Sequence, residues 1–354
     1  MGLGNGHEER GRAEALRRPV TPAKVLGISL ALVLLLVLSS AGSLLIGTAS
    51  ISPAHLWGSL TGSLDLESSQ DLILFRVRLP RIILAGLVGY ALSLGGVVFQ
   101  AILRNPLADP FVLGVSSGAA FGAILGILFG FSFHLGVPLA AFLGALLAIT
   151  VVLLLATRKM GTESATILLT GVIVNAFFTA VIMFFVSTAT DSRLHTMLFW
   201  LYGDLSQSRY SFMAFLGPGV LGIGLVLYGL SKHLNLITAG EDTARMLGVD
   251  VCRTKRIALI ITSILIALAV SFSGLIGFVG LVVPHLARMS LGSDHRILIP
   301  AASLGGAIFL IAADTLARVV ISPSELPVGV VTAFLGAPFF LVLLSKGGSG
   351  WNRS

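Results

Sequence analysis

Four arginines occupy positions from which they could pair with carboxylates of another protein. Arg76, Arg78 and Arg81 crowd the start of the long apolar segment 82–103, and Arg318 lies near the end of a later one. Guanidinium groups bind carboxylates through two parallel hydrogen bonds, which orients the partner. The pattern predicts a surface for an acidic partner protein. The alternative is that these side chains contact lipid phosphates or fix helix ends.

Asp314 is the one acidic residue inside a predicted membrane span. An ionisable group in such a helix indicates a functional site by default, and its partner has to be identified. Arg318 follows one helical turn later, a spacing that suits an ion pair. We therefore expect a structural pair that holds Arg318 in place, because a proton relay would need a second buried carboxylate.

Other kinds of chemistry have little support in the sequence. The seven histidines lack the i, i+4 pairing typical of a metal site, and Cys252 is the single cysteine, so no cysteine metal cluster is expected. The G-x-x-x-x-G-K-[ST] motif that binds nucleotide phosphates is missing from the sequence. We expect no catalytic residue, metal or cofactor in this chain.

The polar segment "TAGEDTARMLGVDVCRTKR" (238–256) predicts a short helix between two apolar segments. Thr238 and Glu241 have the spacing of a capping box, and Gly248 could end the helix in a left-handed conformation. An apolar surface with no lipid to face suggests a contact for another protein; its residues are Ala244, Met246 and Leu247. The alternative is a connector that folds back on the chain's own surface.

The elements that position these residues are membrane-spanning helices. The chain of 354 residues is 55% hydrophobic and 11% charged, against about 25% charged in a typical soluble domain. Runs of roughly 20 apolar residues mark spans, and ten are predicted: 25–46, 82–103, 111–133, 135–156, 167–187, 212–230, 257–273, 275–291, 297–320 and 327–344. The fold class is an all-α polytopic membrane protein.

Loop charge fixes the expected orientation of these spans. With ten spans and a cytoplasmic N-terminus, 17 of the 23 basic residues lie inside, whereas merging 257–273 and 275–291 into one span leaves 14 inside and 9 outside. The positive-inside rule favours ten spans with both termini cytoplasmic. We expect a disordered basic tail over 1–24, the membrane domain over 25–346 and a short cytoplasmic tail over 347–354.

A charged, proline-containing turn separates the second and third spans. In "RNPLADPFVLGVSSGAAFGA" (104–123), Asn105 and Asp109 each precede a proline, which forces both residues away from the helical conformation. The glycines at positions 114, 118 and 122 then recur at intervals of four, a stripe suited to close helix packing. We expect a tight cytoplasmic turn followed by a packing face.

Several segments together resemble a known transporter family. They are "RLPRIILAGLVGYALSLGGVVFQAILRNPLADPFVLGVSSGAAFGA" (78–123), "LLTGVIVNAFF" (168–178), "FWLYGDLS" (199–206), "GEDTARMLGV" (240–249), "GLIGFVGLVVPHLAR" (274–288) and "ELPVGVVTAFLGAPFFLVLL" (325–344). In this order they resemble the membrane subunits of type II ATP-binding cassette (ABC) importers, the family that carries ferric siderophores, haem and cobalamin.

The resemblance implies partners and a cargo class. A permease of this kind works as a homodimer in the cytoplasmic (inner) membrane of a bacterium or archaeon. Two ATPase chains bind the ATP and Mg²⁺, and an extracytoplasmic binding protein delivers the cargo; nucleic acid is not a partner. The expected cargo is an iron–siderophore complex, then haem, then cobalamin.

The resemblance also implies roles for single residues. Docking of the binding protein falls to Arg78, Arg81 and Arg318. ATPase coupling falls to Glu241, Ala244, Arg245, Leu247 and Gly248. The cytoplasmic gate region includes Thr162, Ser164, Ala165 and Thr166, and the pathway lining includes Thr170, Asn175 and Trp200.

Two other classes of protein fit an apolar chain of this kind. A secondary transporter driven by an ion gradient would need intramembrane carboxylates or broken helices for its coupling ion. A membrane-embedded enzyme would need a nucleophile with a base, or a metal cluster. The single Asp314, already beside an arginine, disfavours the first.

Overall fold

The computed structural model describes residues 20–49, 51–61, 68–111, 113–160, 164–189 and 191–346. Fourteen helices, and no strand, lie within these ranges. They are α1 (Pro22–Leu45), α2 (Pro53–Thr61), α3 (Ser69–Ile102), α4 (Val115–Leu128), α5 (Gly136–Met160), α6 (Ser164–Thr188), α7 (Asp191–Tyr202), α8 (Tyr210–Gly229), α9 (Ser231–Ala239), α10 (Glu241–Met246), α11 (Val251–Ser273), α12 (Val279–Leu291), α13 (His295–Val319) and α14 (Val328–Lys346).

The predicted all-helical membrane fold is confirmed. Seven helices are long and apolar enough to cross a bilayer, namely α1, α3, α5, α6, α8, α11 and α13. Three shorter apolar helices, α4, α12 and α14, overlap the remaining predicted spans. Helix α11 ends at Ser273 and α12 begins at Val279, so the residues from 257 to 291 belong to two helices and not to one long helix. The count of ten spans itself stays a prediction.

Helix α3 forms the centre of the molecule. It packs against α8, α11, α12 and α13, and its side chains Leu84, Val88, Leu92 and Phe99 are buried. Helices α4 and α5 form a close pair beside α6. Helix α1 lies at the periphery against α13, with leucines such as Leu30 and Leu34 exposed. An exposed leucine face is what a lipid-contacting helix requires.

The turn between α3 and α4 is held by two side chains. Asn105 accepts a hydrogen bond from the N–H of Leu107 at 2.9 Å, and Asp109 accepts one from the N–H of Phe111 at 2.8 Å. Carboxylate and amide side chains make such local turns because they replace a backbone acceptor two residues away. The charge and the prolines in this apolar sequence therefore build a compact turn, as the sequence predicts.

Two glycines of α4 allow it to approach α5 closely. A Cβ atom on Gly122 would overlap the carbonyl oxygen of Ala140, and one on Gly118 would lie only 2.5 Å from that of Gly144. Any larger residue would push the helices apart. Gly114 has a different role from the predicted one: it precedes α4 with a φ of +81°, a left-handed conformation that glycine adopts readily.

Candidate functional site

The charged residues at one end of α3 and α13 form a buried cluster. We call this end the outer end and the opposite one the inner end, following the orientation predicted from loop charge. Arg81 Nε lies 2.8 Å from Asp314 Oδ1, and Arg318 Nε lies 3.3 Å from Asp314 Oδ2. Arg81 also contacts Glu325, which follows α13. The structure thus contains the Asp314–Arg318 pair, together with a second partner, Arg81, that the sequence did not suggest.

The same cluster attaches α1 to the helical body. Arg78 donates to the carbonyl oxygens of Leu44 and Ala49, at and just beyond the end of α1. Arg318 donates to the hydroxyl of Ser43 at 2.7 Å. Arginine hydrogen bonds to backbone oxygens satisfy carbonyl groups that a helix end leaves free. These two arginines therefore hold α1 against α3 and α13.

The structure corrects the expected exposure of the docking arginines. Arg78, Arg81 and Arg318 are only 3%, 4% and 5% exposed, so their guanidinium groups do not stand open to a partner's carboxylates. The physical reason is that α1 and the residues after it cover the arginines and supply hydrogen-bond acceptors for two of them. A buried cation without such acceptors would be unstable. Arg76, two residues earlier, is exposed.

A polar cluster under α2 was not anticipated from the sequence. The carboxylate of Asp71 is fully buried and accepts a hydrogen bond from Ser59 at 2.6 Å. His55 Nε2 lies 2.9 Å from the same oxygen. Only the i, i+4 spacing of His55 and Ser59 on α2 hinted at a common partner. These contacts fix α2 against the start of α3.

A cavity of about 340 Å³ opens at the outer end, and Trp200 contributes to its wall. Aromatic and polar residues line it together, including Phe133, His195, Asp204, Phe212 and Ser271. The other two predicted pathway residues, Thr170 and Asn175, are half-buried on α6 and do not line this cavity. Of the three predicted pathway residues, Trp200 alone lines this cavity.

At the inner end, α10 is closed by the glycine that the sequence singled out. Gly248 has a φ of +84°, and its N–H donates to the carbonyl oxygen of Arg245 at 3.0 Å. The N–H of Val249 donates to the carbonyl oxygen of Ala244 at 3.0 Å. This pair of hydrogen bonds is the Schellman motif, in which a left-handed residue ends a helix.

The predicted capping box at the start of α10 is wrong. Thr238 lies inside α9, and its hydroxyl donates to the carbonyl oxygens of Leu234 and Asn235. The residue before α10 is instead Gly240. A threonine hydroxyl competes between capping and bonding back to the preceding turn, and the spacing to Glu241 does not distinguish the two.

The apolar surface of α10 is smaller than expected. Ala244 is fully buried in a cluster with Ile237, Val249 and Val251, so it holds α10 onto its neighbours. Met246 and Leu247 are 80% and 62% exposed. Arg245 pairs with the acidic residues of the first turn of α10, Asp242 at 2.9 Å and Glu241 at 3.5 Å.

The gate region begins α6 at the inner end. Ser164 and Thr166 are half-buried and Ala165 is exposed, while Thr162 lies outside the described residues. Lys255, which the sequence did not single out, contacts Ser164 and Glu241 from α11. Asp109 is also buried at this end, and desolvation raises the pKa of its carboxyl to about 6, although the hydrogen bond from Phe111 opposes the shift.

A second inner-end cluster ties α9 to α13. Asn235 donates to Asp294 at 2.9 Å and accepts from the N–H of His295 at 2.9 Å. Asp294 also accepts hydrogen bonds from Arg296, and these lower the pKa of its carboxyl to about 2. The contacts fix the helix that leads into α10.

Comparison with known proteins gives the family. Residues 32–346 match the FecCD transport family. The chain belongs to this family. It is 46% identical over 279 residues to the cobalamin import system permease protein BtuC of Halobacterium salinarum, an alignment that covers 79% of this chain and 75% of the relative. The hemin transport system permease protein HmuU of Yersinia pestis is 39% identical over 331 residues, which cover 92% of this chain and 97% of the relative.

A solved structure agrees with the FecCD assignment. It is a metal-chelate type ABC transporter in an inward-facing conformation, 36% identical, with a TM-score of 0.81; the match covers 90% of this chain and 99% of that one. This FecCD protein is therefore an ABC transporter permease, a translocation component and not an enzyme, and a multi-pass protein of the cell membrane. The secondary-transporter alternative is set aside, since the relatives are ABC permeases.

Proposed function

We propose that this FecCD permease is the membrane subunit of an importer for a metal chelate. Two copies form the pathway, two ATPase subunits bind at the inner end and a binding protein docks at the outer end. Ten spans with both termini cytoplasmic complete the arrangement. The observation that carries the proposal is the exposure of Met246 and Leu247 on α10 at the inner end. This helix has six residues and is too short to span a bilayer, so the two side chains are available to another protein.

Helix α10 has the features of a contact through which another protein could move the permease. Its closing motif at Gly248 and its buried Ala244 make it a rigid body, and the exposed pair Met246 and Leu247 offers an apolar contact next to the charged first turn. Apolar side chains at the centre of a contact, with charged groups around them, are typical of protein interfaces. We assign this surface to the ATPase subunit.

Docking of the binding protein at the outer end would involve a rearrangement of α1. For Arg78 to receive a partner's carboxylate, the partner must displace the carbonyl oxygens of Leu44 and Ala49. Arg81 is held by Asp314 and Glu325. Arg318 is held by Asp314 and the hydroxyl of Ser43, so a partner would have to compete with these groups as well. Arg76 and Glu325 are charged groups beside this cluster that are exposed to a partner.

The cargo is a metal chelate, with an iron–siderophore complex as first candidate. The sequence alone places haem second, but the relative named for cobalamin is 46% identical and the one named for hemin 39%, so we rank cobalamin second and haem third. The HmuU relative is named for hemin. Binding of ferric siderophore, cobalamin and haemin by the cognate binding protein, followed by uptake in proteoliposomes, separates the three. Uptake of none of them with a functional complex would contradict the metal-chelate proposal.

The ATPase contact has its own test. Replacing Met246 and Leu247 with alanine should reduce co-purification of the ATPase, because each change removes apolar area from the contact. Leu107→Ala is the control, since Leu107 is 43% exposed at the same end of the molecule but belongs to the turn after α3 and not to α10. Equal ATPase recovery with the double variant and the control would contradict the assignment.

A further inference from the structure

A buried lysine lies where three inner-end helices meet. Lys255 belongs to α11, and its side chain is only 3% exposed. Its Nζ donates to Glu241 Oε1 at 2.5 Å, on the first residue of α10, and to Ser164 Oγ at 3.1 Å, on the first residue of α6. The Ser164 hydroxyl in turn lies 3.5 Å from the carbonyl oxygen of Ile102, at the end of α3.

Burial of this ammonium group requires an explanation. Lysine is among the residues least often buried, because removing its charge from water costs energy unless a partner compensates. Its neighbours Arg253 and Arg256 are both exposed on the same helix. Lys255 is therefore not buried merely because this end of α11 is covered; it faces inward to the carboxylate and the hydroxyl.

We propose that Lys255 links the movement of α10 to release of the start of α6 and so couples the ATPase cycle to opening of the inner gate. The inference rests on the proposed function, in which the ATPase moves α10. The bond to Glu241 joins two charged groups and is the shorter one, so it is stronger than the bond to the neutral hydroxyl of Ser164. Lys255 therefore follows Glu241 when α10 moves. The longer bond to Ser164 then breaks, and the start of α6 is released.

The test compares transport per ATP hydrolysed in proteoliposomes that contain permease, ATPase and loaded binding protein. Lys255→Met keeps an unbranched side chain, one atom shorter than lysine, but removes the charge. It should lower the ratio of cargo transported to ATP hydrolysed by roughly tenfold or more, the effect of losing a hydrogen bond to a charged group. Lys232→Met, at an exposed lysine of α9, is the matched control and should leave the ratio unchanged.

A reporter beside the gate separates coupling from general damage. In a Cys252→Ser background, Ala165→Cys places a thiol at an exposed position next to Ser164. Its maleimide labelling rate should change when a non-hydrolysable ATP analogue is added, and Lys255→Met should abolish that change. The charge exchange Lys255→Glu with Glu241→Lys keeps the ion pair and should restore both the labelling change and the transport ratio.

The outcomes distinguish the inference from the proposed function. Normal coupling in both the parent and Lys255→Met overturns the role of Lys255 alone. If Lys255→Met fails to assemble, the charge exchange decides, and an assembled but uncoupled exchange variant also overturns it. A parent permease that neither binds nor stimulates the ATPase overturns the proposed function and the role of Lys255 with it.

Discussion

Gly248→Val should uncouple the ATPase without harming the membrane domain. The φ of +84° at this position lies in the left-handed region, which a β-branched residue adopts only under strain. No heavy atom would lie within 4 Å of an added Cβ, apart from those of residue 248 and its chain neighbours. The effect of the substitution therefore comes from the backbone conformation and not from a steric clash.

The magnitude follows from two ways in which the chain can respond. If the substituted valine keeps the native backbone conformation, the strain is about 1–3 kcal/mol. If the helix end unwinds, the hydrogen bonds to Arg245 and Ala244 are lost, at about 0.5–1.5 kcal/mol each. Either response disfavours the functional position of Leu247 by a factor of roughly 5 to 150.

The assay is ATP hydrolysis stimulated by loaded binding protein in proteoliposomes, with uptake measured in parallel. Gly248→Asn should retain most of the activity, because asparagine tolerates the left-handed conformation. Gly222→Val, where an added Cβ also has nothing within 4 Å, is the helix-interior control. Wild-type stimulation in Gly248→Val would refute the reasoning. Ala244→Arg is not an equivalent test, because Ala244 is fully buried and its replacement disrupts α10 itself.

Three other outcomes are expected. An impermeant maleimide should label Cys252 in inside-out vesicles and not in intact cells; labelling of intact cells would contradict the topology. Arg81→Glu should lower the free energy of unfolding in detergent by about 3–5 kcal/mol, because Asp314 loses the nearer of its two arginine partners. Arg76→Glu, at an exposed position, should affect only docking. Equal melting temperatures for the two variants would contradict this. Burial raises the pKa of Asp109, so folding favours the protonated carboxyl. Its contribution to stability is therefore greatest below about pH 4 and is lost as the pH rises through about 6. Asp109→Asn, which cannot ionise, should flatten this part of the plot of melting temperature against pH.

Local structure was the most predictable part of this protein. The turn held by Asn105 and Asp109, the end of α11 at Ser273 and the left-handed Gly248 each depend on residues close together in the sequence, where proline and glycine limit the backbone. The predicted capping box of Thr238 and Glu241 was wrong, although it too depends on residues close together in the sequence. Thr238 can bond forward to a new helix or back to its own, and the outcome depends on how α9 packs.

Long-range contacts were out of reach of the sequence. Ser43 and Arg318, 275 residues apart in the chain, meet because α1 packs beside α13. Nothing in the spacing of either segment indicates this contact. The arginines could therefore be placed at the outer end from charge alone, but their burial depends on which helix covers them. Lys255 was missed for the same reason, since its partners lie on α6 and α10.

The central claim is that the chain is a permease driven by a separate ATPase. It is tested most directly by uptake in proteoliposomes that contain the permease with or without its ATPase subunit, with ATP inside and loaded binding protein outside. Uptake should require both the ATPase and ATP, and an ionophore that collapses the ion gradients should leave it unchanged. Uptake by the permease alone, abolished by the ionophore, would contradict the account.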